Sequence, residues 1–202
     1  MNMIGKYEEI CTLVEEEFAR NRRLHGDRIQ CRAGCADCCS QLFQITEIEA
    51  GVIWDAMQAM SSGERAQLQT KAQAYLVERG KMVSAQGEPE AWGSLPPVGT
   101  RLACPALVDG RCRIYESRPL ICRKFGIPLW NPDRPGRVYA CELNFQEGEE
   151  IVDGELIQIQ TAIHEEWKQV QAGYNRAGGP READAICVAR AMVEELGGLP
   201  CD

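Results

Sequence analysis

The chain has 202 residues, 45% of them apolar and 26% charged, which is enough apolar material for a buried core and far from the composition of disordered chains. A formal charge of −8 repels a phosphate backbone on average, so nucleic acid is not an expected partner. No apolar run reaches the roughly 18 residues of a membrane helix, and the segment from Met1 to Glu9 lacks the apolar stretch of a signal peptide; the expectation is a cytoplasmic protein with no membrane partner.

Along the chain, Ile4, Tyr7, Ile10, Cys11, Val14 and Phe18 recur at helical spacing, with Glu8, Glu9, Glu15, Glu16 and Glu17 largely on the other side, which predicts an amphipathic helix over 4–23. Thr46 with Glu49, and Ser61 with Glu64, have the Thr/Ser-x-x-Glu pattern of a capping box and open helices expected to reach about Met60 and Met82 as a helical hairpin. Residues 86–103 turn to Gly, Pro and Ser and read as a long loop or lid. Asp109-Gly110 between two short apolar runs predicts a two-stranded ribbon over 106–115. A helical turn follows over 118–125, then a turn over 131–137 and a short strand over 138–143. Helices over about 155–174 and 181–196 complete the chain. The expected fold is mostly α: a single domain over 1–202 with an irregular cysteine-rich metal-binding centre over 31–141, a small β-hairpin, and flanking helices over 4–23 and 155–196.

The chain contains 11 cysteines. A chain able to build a core and without an export signal has little need of disulfides, and an odd number leaves one thiol over, so metal ligation is the better explanation. Cys11, on the apolar face of the first helix, Cys187, beside that of the last, and Cys201 read as small buried or tail residues. The other eight are Cys31, Cys35, Cys38, Cys39, Cys104, Cys112, Cys122 and Cys141. In Cys31-Arg32-Ala33-Gly34-Cys35-Ala36-Asp37-Cys38-Cys39 a Gly-containing turn can fold thiolates onto one side. Neighbouring residues usually point apart, so Cys38 and Cys39 are better placed to serve two centres, or opposite edges of one cluster, than one corner of a single-ion site.

The run Cys-x3-Cys-x2-Cys-Cys, then Cys104-Pro105 and Asp109-Gly110-Arg111-Cys112-x-Ile114-Tyr115-Glu116-x-Arg118-Pro119-x-x-Cys122-Arg123-x-Phe125, closely resembles the cysteine-cluster proteins of YkgJ type, a zinc- or iron-chelating family with eight cysteines. The resemblance spans about residues 31–141 and implies metal binding by those eight positions. A similar domain occurs in flagellin lysine methylases, thought to join an iron–sulfur cluster to S-adenosylmethionine.

All-thiolate ligation suits an iron–sulfur cluster, most simply [4Fe-4S], or alternatively Zn2+, and disfavours calcium and magnesium. Only the first block has the short spacings of zinc knuckles, which tilts the reading toward iron–sulfur with a redox or cofactor-linked role. The alternatives are a structural zinc module that scaffolds an unidentified protein partner, or a methylase-like enzyme using S-adenosylmethionine. Residues 101–124 hold six basic residues (Arg101, Arg111, Arg113, Arg118, Arg123, Lys124) against two acidic ones, a distribution expected to offset thiolate charge or to form a solvated face. His25 and His164 read as surface residues near helix ends, and neither hydrolase nor nucleotide-binding motifs occur.

Overall fold

A computed structural model describes residues 2–32, 34–86, 101–133, 135–146, 150–178 and 186–196. The expected loop over 86–103 and Cys201 therefore lie largely or wholly outside the described residues. The fold is mostly α, with two small antiparallel ribbons. The helices are α1 (Met3–His25), α2 (Glu47–Ala59), α3 (Ser62–Gln86), α4 (Leu120–Lys124), α5 (Leu156–Gly178) and α6 (Val188–Val193); the strands are β1 (Leu107–Val108), β2 (Arg111–Cys112), β3 (Leu129–Trp130) and β4 (Val138–Tyr139). Two compact units divide the chain, one of residues 1–38 and 120–177, the other of residues 39–119 and 178–202.

In the first unit α1 buries Met3, Tyr7, Ile10, Cys11 and Val14 along one stripe, and α4 packs against it. Tyr7 meets Trp167 of α5 with ring centroids 5.6 Å apart. The stripe continues into polar residues: Glu17 and Asn21 are buried, although Glu17 was expected on the solvent side. Arg20 explains the burial, since its guanidinium bonds both Glu17 oxygens at 2.6 and 2.9 Å and also reaches Asp153 Oδ2 at 2.5 Å. Burial pushes the Asp153 carboxyl up, but the hydrogen bond and charge of Arg20 outweigh it and hold the group below the usual carboxylate range. From α5, Gln160 latches the β3–β4 ribbon by accepting from Trp130 N at 2.7 Å and donating to Pro128 O at 2.8 Å. The strand expected over 138–143 stops at Tyr139, because Asn144 N bonds Cys141 O and turns the chain.

In the second unit the capping box of α2 is formed, with Thr46 N and Oγ1 both bonded to Glu49 Oε2 at 2.7 and 2.8 Å, and Ser61 Oγ donates to Glu64 at the start of α3. The two helices pack on α6 more than on each other, so the helical hairpin is replaced by an arrangement in which α6 is shared. Ala189, Ala191 and Met192 of α6 are fully buried; the two alanines let the helix backbones approach closely. Within the expected helix over 181–196, Ile186 is instead extended and pairs with Ile45 (Ile45 N to Ile186 O, 2.9 Å), and helix begins only at Val188. Asp109 and Gly110 form the β1–β2 turn at φ 52° and 72°, the paired positive φ that a two-residue hairpin loop requires.

Removing Arg20 would leave two buried carboxylates without their cation. Arg20→Ala is expected to destabilise the protein by on the order of 3 kcal/mol at pH 7. Because the Asp153 pKa is depressed in the folded chain, that stabilisation is present above the ordinary carboxylate range and disappears as pH falls below it. Urea unfolding of both proteins at pH 7 and near pH 3 checks this; the gap should narrow at the lower pH.

Candidate metal centre

The ten described cysteines carry their sulfurs as thiols. Cys31, Cys35, Cys38, Cys122 and Cys141 belong to the first unit, and Cys39, Cys104 and Cys112 to the second.

In the first unit a turn closed by Cys35 N to Arg32 O at 2.9 Å, with Gly34 at φ 89°, folds the chain between Cys31 and Cys35. Cys141 is buried and starts the turn to Asn144. These sulfurs lie within one another's field. Burial raises the Cys31 thiol, and charge on Cys35 raises it further; burial raises Cys141, and Cys31 and Cys35 add to the effect. Two residues outside the cysteine pattern frame Cys31. Gly126, at φ 118°, passes so close that a Cβ there would lie 2.3 Å from Cys31 Sγ. Asn144 Nδ2 points to the same sulfur at 3.8 Å and also donates to Gly126 O, while its Oδ1 accepts from Gln30 N at 2.7 Å. A backbone cradle and an amide donor at a sulfur are features that orient and tune a thiolate ligand.

In the second unit Cys104 N donates to Cys39 O at 2.7 Å, and Leu107 N donates to Cys104 O at 3.0 Å, placing Cys104 where the chain enters β1. Cys112 faces Leu107 across the ribbon. Burial first, then charge on Cys112, Cys39 and Cys187, pushes the Cys104 thiol up to about 12. Burial also raises Cys112, an effect Cys39 increases and Arg118 opposes.

The basic residues near the cysteines divide in their roles. Arg118 acts on Cys112 while its guanidinium lies 3.8 Å over the Tyr115 ring. Arg123 donates to Glu15 on α1. His25 is not a surface residue. It is buried at the end of α1, edge-on to Phe145 at 5.1 Å, and burial lowers its pKa. His164 contacts Asp133 at 3.1 Å.

Residues 30–136, more than half of the chain, match the model of the CxxCxxCC family, described as a putative zinc- or iron-chelating domain. The chain belongs to this family. No match was found among curated proteins or among solved structures. The matched region stops before Cys141, Asn144 and Cys187. The donor set fits a thiophilic metal, being entirely sulfur. Among the described residues, no three Cys, His, Asp or Glu side chains converge as one ion would need.

Gly126→Ala tests the cradle at Cys31. It combines a strained φ, a cost of about 1 to 3 kcal/mol, with a clash at the sulfur. Gly136→Ala shares the strain, at φ 137°, but meets nothing within 4 Å. Both variants should lose stability, and only Gly126→Ala should lose metal; metal-to-protein ratios with thermal unfolding decide.

Proposed function

We propose that the cysteines hold iron–sulfur clusters, one in each unit, and that the protein acts through them in a redox or cofactor-linked role. The observation that supports this reading is an all-thiolate donor set whose members come from a turn, a ribbon and loops rather than from paired knuckles, five in one compact unit and three in the other. Bound clusters would supply reversible one-electron chemistry. The chain's own part is to exclude water from the sulfurs, through the burial of Cys141 and the core beneath Cys104 and Cys112. It also directs the Asn144 amide to Cys31 and positive charge from Arg22 and Arg118 toward Cys31 and Cys112. Amide donors and nearby cations favour the reduced, more negative form of a cluster.

A second reading has one observation in its favour. The tight turn from Cys31 to Cys35 is knuckle-like, and zinc in both groups would make the protein a structural scaffold for another protein.

Anaerobic purification followed by iron, zinc and acid-labile sulfide analysis separates the two. Iron and sulfide in equal amounts, with a broad visible absorption that bleaches on reduction, is the expected result; colourless protein saturated with zinc would overturn it. Stripping the metal should loosen the ligand loops before the terminal helices, since metal-binding free energy is then withdrawn from them. Limited proteolysis of the stripped protein should cut first between residues 101 and 146.

A further inference from the structure

The helix α1 ends on an imidazole that has no place for a second proton. His25 is 7% exposed, and its Nε2 is buried without a hydrogen-bond partner among the described residues. A neutral ring can leave Nε2 as its unprotonated nitrogen, whereas a charged ring carries an N–H on both nitrogens and needs an acceptor for each. The charged groups around the ring do not make up for this. Arg20 on the same helix and Arg28 in the single turn over Gly26–Arg28 oppose another positive charge. Asp153 favours one, but it is already bonded to the Arg20 guanidinium. Burial is the largest influence and acts in the same direction as the two arginines.

The ring packs edge-on against Phe145, with centroids 5.1 Å apart. Phe145 has φ 52°, a backbone conformation that is costly for a bulky side chain and persists only where the surroundings hold it. Besides the His25 ring, two hydrogen bonds do the holding. Phe145 N donates to Arg28 O at 3.2 Å, and Asn144 Oδ1 accepts from Gln30 N at 2.7 Å. They strap the turn over 141–145 to residues 28–30, the segment that leads from α1 to Cys31. The same Asn144 directs its amide to Cys31 Sγ, and its own N–H closes the turn on Cys141 O. His25 thus stands at one end of a short series of contacts that runs through Phe145 and Asn144 to Cys31, all within the first unit.

We propose that His25 and Phe145 form a proton-operated latch: the neutral imidazole holds Phe145 in its strained conformation and keeps the turn over 141–145 fastened to residues 28–30, and a proton taken up by the ring releases them. Opening the strap gives Nε2 access to water, so protonation and opening favour each other. The opened ring takes its proton at the ordinary imidazole value and the closed ring only at lower pH. Fastening is therefore complete above the ordinary value and weakens as pH falls from it toward the closed ring's own value. The latch does not depend on which metal the thiols hold.

Hydrogen exchange at the Phe145 and Gln30 amides, expressed as protection factors between pH 7 and pH 5, tests the latch together with an NMR titration of the imidazoles in anaerobically purified protein. Wild-type protection should fall from about pH 6.5 down to the midpoint of the His25 titration, by up to about tenfold per pH unit, and then level off. The Val170 amide in α5 should keep its protection. His25→Phe preserves an aromatic edge against Phe145 and takes no proton, so its protection should be flat over this range. His25→Gln, also unable to titrate, should be equally flat and serves if His25→Phe does not fold. His164→Gln removes the chain's other histidine, which contacts Asp133, and should behave as the wild type. Wild-type protection that stays flat while His25 titrates, an equally steep fall in the His25 variants, or loss of the pH dependence in His164→Gln would overturn the proposal.

Discussion

Partly buried thiols near one another resist ionisation, and that constraint bears on the rest of this protein. Burial raises Cys31, Cys104, Cys112 and Cys141, and neighbouring sulfurs raise them further. Without compensating charge the groups stay protonated; a bound cation reverses the balance by taking the place of the protons. Features around the sulfurs favour the charged form. Asn144 offers an amide hydrogen, and Arg22 and Arg118 offer positive charge. The rest of the fold serves to hold chain segments with little apolar material of their own in register while this exchange takes place.

That holding is done by helices. Two-residue strands cannot supply a sheet core, so the ribbons depend on what grips them. Gln160 of α5 binds β3 through Trp130 N and Pro128 O, and the β1–β2 ribbon lies against a core built from α2, α3 and α6. Arg20 contributes a different kind of anchor, joining α1 to the approach of α5 through Asp153.

Much of this was legible in the residues. The capping pairs Thr46–Glu49 and Ser61–Glu64, the Asp109-Gly110 turn and the apolar stripe of α1 each depend on interactions within a few positions, and each is realised. The polar end of that stripe was not legible, because Glu17 becomes a buried residue only through the distant Asp153 and the Arg20 between them. The start of α6 failed for a similar reason: an apolar run at 186–193 fits a helix until the bridge from Ile45 claims Ile186. At the site, the fixed spacings carried the resemblance that the family match bears out, and the adjacent Cys38 and Cys39 fall in different compact units. Gly126 and Asn144 could not be found this way. Nothing local marks a glycine that must pass a sulfur, or an asparagine whose partner lies more than a hundred residues away. The turn Cys141-x-x-Asn144 is the only trace, and it is visible only once the fold is known.

The discontinuity of the second unit has a consequence for how the protein is made. Its core is assembled from residues 39–119 and from a segment beginning at residue 178, and α6 buries three residues completely between α2 and α3. A chain emerging from the ribosome presents α2 and α3 long before α6 exists, leaving the apolar faces that will receive Ala189, Ala191 and Met192 open to solvent or to other chains. The second unit therefore cannot close during synthesis of its first portion. Closure of this core waits on one short helix, and a truncation before residue 188 would uncover the apolar surface of α2 and α3 that it covers.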